Sequence, residues 1–156
     1  GNGDIVMSLR IPPLAQFLAC AALGWGLARL LPEWSLGSSL WTYVGYGLIA
    51  VGITLLAVAL LAFARAHTTV NPLSPEQAET LVTTGLYRFT RNPMYLAMAL
   101  ILFGGALTLG SITALAAPAI FVVAMTILQI KPEERALQSR FGKAFTAYRG
   151  QTRRWL

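Results

Sequence analysis

The sequence predicts an all-α membrane protein of about four transmembrane helices plus a C-terminal amphipathic interfacial helix, with both termini cytoplasmic. Three observations predict it. Hydrophobic residues make up 56% of the 156-residue chain and charged residues only 12%, against roughly 45–50% and about 25% in an average soluble domain. Mean hydropathy is +0.61, and a soluble fold this small would have to expose much of that apolar surface. The apolar residues gather into segments long enough to span a bilayer, and the basic residues fall almost entirely on one side of those segments. Disorder, collagen-like repeats and a disulfide-stapled scaffold are excluded, and the single cysteine, Cys20, excludes an intrachain disulfide or a multi-cysteine metal site.

The first apolar segment runs from about Leu14 to Leu31 and stops at Pro32. Phe17-Leu18-Ala19-Cys20 faintly resembles a lipoprotein cleavage box, but the stretch exceeds the ~7–15 residues of a signal-peptide core, so it reads as a retained helix. The second runs from about Trp41 to Ala64, the third from Pro93 to about Leu109, and the fourth from about Ile112 to Ile130. A spanning helix needs roughly 17–25 residues, which the third barely reaches. Pro118 inside the fourth is tolerable where neighbouring helices satisfy the freed carbonyl.

Charge placement orients these segments. Arg10 precedes the first, and Arg65, Arg88 and Arg91 lie between the second and third. Lys131, Arg135, Arg140, Lys143, Arg149, Arg153 and Arg154 follow the fourth, which leaves only Arg29 of the 12 basic residues for the other side. The positive-inside rule therefore puts both termini and the middle loop in the cytoplasm, with Trp25, Trp34, Trp41 and Tyr43 as an aromatic belt at the opposite face. The net charge of +6 is thus mostly topology, and no nucleic-acid-binding motif accompanies it. Residues 1–156 read as one integral-membrane domain: two helices in 13–64, a cytoplasmic loop in 65–92, helices three and four in 93–130, and an interfacial helix with a basic tail in 131–156. The small size and lack of a targeting signal favour a prokaryotic inner (plasma) membrane. Small-residue faces on helices two and three permit a homodimer.

The loop from Arg65 to Asn92 is too long for a spacer, and long loops are disproportionately functional. Ser74-Pro75-Glu76 reads as a helix start and Thr83-Thr84-Gly85 as a turn. Pro93 suits the first turn of helix three, which puts Asn92 near the N-cap, Tyr95 in the first turn, and Tyr87, Arg88 and Arg91 just outside. Such a helix start offers free N–H groups to an anion. After helix four, Leu137, Phe141, Phe145 and Tyr148 recur at helical spacing along a basic helix, which reads as lying in the cytoplasmic interface. Glu133 and Glu134 open it where the hydrocarbon ends, and a carboxylate there needs a partner. Plainer readings stand beside these. The glutamates can complement a helix N-terminus, and Arg88 and Arg91 can be topological anchors or headgroup contacts. His67 has no second ligand candidate, so no metal site is expected. Gly104, Gly105 and Gly110 read as helix-packing residues.

The order Leu81-Val82-Thr83-Thr84-Gly85-Leu86-Tyr87, Arg91-Asn92-Pro93-Met94-Tyr95, Glu133-Glu134-x-x-Leu137, Phe141-Gly142 and Tyr148 resembles the integral-membrane methyltransferases that include isoprenylcysteine carboxyl methyltransferase and the phospholipid methyltransferases. The resemblance covers about Thr69 to Arg154. It implies S-adenosyl-L-methionine as cofactor, bound at the cytoplasmic side, and a lipophilic methyl acceptor (a prenylcysteine-like carboxylate, a lipid amine or another small hydrophobic molecule). It implies Thr80, Leu81, Val82, Tyr87, Asn92, Pro93, Met94, Tyr95 and Glu133 as cofactor-binding residues. Arg91 and Glu134 are candidates for orienting the reacting groups in an in-line displacement. Family members often have His where Asn92 stands, and the prenylcysteine enzymes have Arg where this chain has Gln129. The uncharged amide makes Gln129 the candidate contact to the acceptor and makes a lipid amine at least as good an acceptor as a carboxylate. A second reading is an NADPH-dependent membrane reductase, since the C-terminal part of sterol reductases resembles the same box. Those enzymes are usually longer. A third is a non-enzymatic membrane protein that binds anionic lipid or a partner through the basic C-terminal helix.

Overall fold

The computed structural model describes residues 11–32, 34–65 and 81–156. Arg10, Glu33, His67, the expected helix start at Ser74 and the expected cofactor contact at Thr80 lie outside the described residues. Among the described residues the chain is helical, with only isolated bridge pairs besides.

Helix α1 spans Pro13–Leu30, with Pro13 at its first position, where a missing N–H costs nothing. It ends before Pro32 because the residue preceding a proline is pushed out of helical geometry. Helix α2, Ser39–Arg65, and helix α3, Pro93–Thr108, form the tightest pair in the molecule. Their contact is made of glycine. A Cβ at Gly45 would lie 2.5 Å from the carbonyl oxygen of Gly104, and one at Gly52 would lie 2.9 Å from that of Ala97. Gly45 and Gly52 of helix two thus pack against helix three within one chain. Gly105, expected to pack likewise, has nothing within 4 Å of where its Cβ would be, and Gly110 serves the turn after α3 at φ +66.

At one end the turn between α1 and α2 and the turn after α3 are tied by Leu36 N–H to Gly110 O (2.8 Å) and Ile112 N–H to Trp34 O (2.8 Å). The exposed rings of Trp25, Trp34, Trp41 and Tyr43 gather there, and Arg29 lies 5.2 Å over Trp25. Large apolar side chains are exposed along α1, α2 and the stretch from Ile120 to Leu128, a surface suited to lipid and not to water.

Among the described residues three helices are long and apolar enough to cross a membrane: Pro13–Leu30, Ser39–Ala62 and Thr113–Phe141. Helix α3 has 16 residues, or about 24 Å at 1.5 Å per residue, short of a roughly 30 Å hydrocarbon core. Pro93 and the Leu109-Gly110 turn fix its two ends.

The fourth element departs most from expectation. A 3₁₀ turn (Thr113–Leu115) leads into α4 (Ala116–Met125), then a π-helical turn (Thr126–Ile130), then α5 (Lys131–Phe141), with no break between the expected spanning helix and the expected interfacial one. Pro118 sits in the first turn of α4, where its lost donor is cheap. Pro132 removes an N–H from the ladder just past the π turn, which accounts for the register slip. The chain then breaks at Gly142, whose φ +54, ψ −119 suits only glycine, so the expected single interfacial helix is two, α5 and α6 (Lys143–Gln151). The stripe of Leu137, Phe141, Phe145 and Tyr148 is buried at Phe145 and Tyr148 and partly buried at Leu137 and Phe141. It closes on Leu81, Val82 and Tyr87 as a small second core, while the main core joins Cys20, Tyr95, Phe121, Met125 and Ile130.

Candidate functional site

The site forms where α3 begins and the π turn passes into α5. A 3₁₀ turn, Gly85–Arg88, enters through Gly85 at φ +63 and buries Tyr87, whose carbonyl accepts from the Tyr148 hydroxyl at 2.7 Å. Burial, then Tyr148 and Glu133, push the Tyr87 phenol above its ordinary value, so it is neutral at physiological pH. Asn92 occupies the N-cap position of α3 but does not cap it. Its Nδ2 instead donates to the Arg154 carbonyl at 2.8 Å, while its own N–H donates to Thr90 Oγ1 at 3.2 Å. Because Pro93 has no N–H, the first donors of α3 belong to Met94 and Tyr95, with no side-chain cap on them.

The two adjacent glutamates are divided between different partners. Glu133 Oε1 accepts from the Tyr95 hydroxyl at 2.6 Å and from Gln129 Nε2. Gln129 is wholly buried, and the π turn gives it its place one turn before Glu133. Glu134, 8% exposed, accepts from Arg154 Nε at 3.0 Å and Nη2 at 2.9 Å, with Arg91 Nη2 at 3.4 Å. Since α5 continues the π turn, neither glutamate stands at a free helix N-terminus, and dipole complementation does not explain them. A buried carboxylate needs charge partners, and both arginines supply them.

The C-terminal segment completes the arrangement. Arg91 N–H donates to Arg153 O at 2.9 Å and Arg91 Nη1 to Thr152 O at 2.6 Å, while Thr90 Oγ1 reaches Arg154 O at 3.4 Å. Trp155 Nε1 donates to Thr126 Oγ1 in the π turn at 3.1 Å, and its ring packs on the main core. Sequence reasoning counts Arg154 only as topological charge and does not see Thr90 or Trp155 at all. The available signal was a tryptophan inside a basic terminal segment, an odd residue to leave in water.

The structure thus brings Tyr87, Arg91, Asn92, Tyr95, Gln129, Glu133 and Glu134 to one end of the bundle. Leu81 and Val82 pack with Tyr87 in the second core. Pro93 is buried, and Met94 packs against the main core. An apolar groove of about 400 Å³ lined by Ala50, Val51, Thr54, Leu55, Val58 and Leu86 runs along α2 to the residue next to Tyr87.

The phospholipid methyltransferase family matches residues 40–144, about two thirds of the chain. An uncharacterized protein of Haemophilus influenzae (strain ATCC 51907 / DSM 11121 / KW20 / Rd) is 40% identical over 63 residues, which cover 40% of this chain and 100% of that relative. No solved structure matches the chain.

Proposed function

The chain belongs to the phospholipid methyltransferase family, and from that premise we propose that it transfers a methyl group from S-adenosyl-L-methionine to a lipophilic acceptor at the cytoplasmic face of a membrane. The observation that carries the reading is the pairing of a Glu133–Tyr95–Gln129 cluster with an Arg91–Glu134–Arg154 cluster at the start of one helix. The donor set fits the cofactor. Glu133 offers a carboxylate to an ammonium or to ribose hydroxyls, and Tyr95 and Gln129 fix its orientation. Arg91 and the uncapped first turn of α3 suit a carboxylate. Tyr87 and Tyr95 offer ring faces to a sulfonium. Leu81, Val82, Asn92, Pro93 and Met94 complete the pocket in this reading, and Thr80 is a further cofactor contact that the family resemblance implies.

The bound cofactor would supply an electrophilic methyl group on its sulfonium. The chain's own residues hold, orient and dry the site. Asn92 has no acid or base function near neutral pH, and its amide fixes the C-terminal segment. The buried neutral phenols and apolar surroundings keep water away. Catalysis is then mainly positioning, with Arg91 and Glu134 setting the geometry of the reacting groups. Gln129 as the acceptor contact, an uncharged amide and not a cation, favours a lipid amine, which enters from the bilayer along the groove on α2.

The test is calorimetric titration of the detergent-solubilised protein with S-adenosylhomocysteine, alongside Glu133→Ala and methyl transfer from labelled S-adenosylmethionine into membrane lipids. Saturable binding weakened by the substitution, with label recovered in a lipid, supports the reading. Folded protein that binds nothing with lipid restored overturns it.

A further inference from the structure

We infer that Arg154 is a positioning residue that keeps Glu134 off Arg91, so that the Arg91 guanidinium stays available to the carboxylate of an amino-acid-bearing ligand. The inference rests on the cofactor reading above and deepens it. Arg154 grips both oxygens of Glu134, at 3.0 and 2.9 Å, whereas Arg91 approaches one of them at only 3.4 Å. The bidentate pair is the stronger of the two. Arg91 is held in place mostly by the chain itself: Nη1 donates to Thr152 O at 2.6 Å, and its backbone N–H donates to Arg153 O. Its buried Nε has no hydrogen-bond partner among the described residues. A guanidinium that is largely buried, with its side chain 11% exposed, weakly ion-paired and still carrying an unused donor is an anion site in waiting.

Arg154 is fixed from both sides. Its carbonyl accepts from Asn92 Nδ2 at the head of α3, and the next residue, Trp155, is tied to the π turn through Thr126. The side chain therefore presents its fork to Glu134 from an anchored backbone. Take it away and the Glu134 carboxylate, 8% exposed, keeps Arg91 as its ion-pair partner among the described residues and closes on it. Arg91 is then neutralised by its own chain and lost to the ligand.

This makes a prediction that a merely structural arginine would not. The experiment compares two probes on the detergent-solubilised full chain: S-adenosylhomocysteine, which carries the amino-acid carboxylate, and 5′-methylthioadenosine, which keeps the nucleoside and thioether without it. Arg154→Ala should weaken S-adenosylhomocysteine about 10- to 100-fold, the scale of a misplaced positioning group, and leave 5′-methylthioadenosine within about twofold, the precision of such a comparison. Adding Glu134→Gln to Arg154→Ala removes the carboxylate that traps Arg91 and should restore most of the lost affinity. Arg135→Ala, which removes an exposed neighbouring cation, should change neither probe. Should Arg154→Ala fail to fold, Arg154→Lys, which holds one oxygen of Glu134 and not two, should show a smaller loss confined to S-adenosylhomocysteine. Equal loss of both probes, no loss, or no recovery in the double variant overturns the inference and leaves the cofactor reading standing. A wild-type protein that binds neither probe overturns both.

Discussion

Two adjacent glycines in α3 should behave oppositely when each is changed to alanine. A Cβ at Gly104 would lie 2.5 Å from the Gly45 carbonyl oxygen, 2.9 Å from Ile49 Cγ1 and 3.0 Å from the Ile49 backbone nitrogen. Two of those neighbours are backbone and cannot rotate away. Ordinary contact is about 3.5 Å, so α2 and α3 must part by about 1 Å along their tightest seam. Overpacking of this kind costs about 1–3 kcal/mol. Gly105 has nothing within 4 Å of its Cβ position, so alanine there adds no clash. Both substitutions gain the same helix propensity, about 1 kcal/mol, which cancels in the comparison. The gap between the variants is therefore the clash itself, about 1–3 kcal/mol, or about 2–12 °C in melting temperature for a chain of this size. Melting in detergent followed by tryptophan fluorescence reads it directly. Since α3 begins with Asn92 to Tyr95, Gly104→Ala should also weaken S-adenosylhomocysteine binding, and Gly105→Ala should not. Equal melting temperatures for the two variants would refute the glycine seam as the contact that sets this helix pair.

The other predictions test the site's separate parts. Tyr95→Phe deletes the 2.6 Å donor to Glu133 and should weaken S-adenosylhomocysteine about 10-fold or more by calorimetry, since hydrogen bonds to charged groups contribute about 1.5–3 kcal/mol; affinity within twofold of wild type would remove Glu133 from the cofactor site. Gly142→Ala forces a side chain into φ +54, ψ −119 and should cost about 1–3 kcal/mol; an unchanged melting curve would mean that the α5–α6 corner is not specified by glycine. Burial raises the Tyr87 and Tyr148 phenols above the ordinary tyrosine value of about 10. The fold favours their neutral forms, so that stability is present below pH 10 and is lost as pH rises beyond it. Alkaline denaturation monitored by circular dichroism should be shallower in Tyr87→Phe, and an identical slope would count against a buried neutral phenol.

What was legible in the sequence followed from one-dimensional rules. Pro32 and Pro93 mark helix ends because proline acts on its own residue and the one before it, and the structure places those ends within a residue or two of expectation. The Asn92-to-Tyr95 box and the glutamate pair were visible as types at a spacing, and they do converge. The misses share a cause. Whether Pro132 starts a new helix or slips the register of a continuing one depends on what packs around the freed carbonyls. An amphipathic stripe reports that something apolar lies opposite it but not whether that is lipid or Tyr87.

The division of the two glutamates follows the same logic at a finer scale. In the sequence Glu133 and Glu134 are equivalent, yet successive residues of a helix point about 100° apart. One therefore turns inward to a phenol and an amide, and the other turns sideways to two guanidiniums. A phenol and an amide donate to Glu133 without adding charge, whereas Glu134 is held by two cations that compensate its charge within the chain. On this ground Glu133→Gln should lower affinity for a cationic ligand group, while Glu134→Gln should leave S-adenosylhomocysteine binding intact, because Arg91 keeps its anchors on Thr152 and Arg153, and slow turnover by removing the Glu134 charge that helps set the geometry of the reacting groups. Measuring affinity and turnover for both variants decides it: if the two substitutions act alike on both quantities, the charges are not divided as the contacts imply.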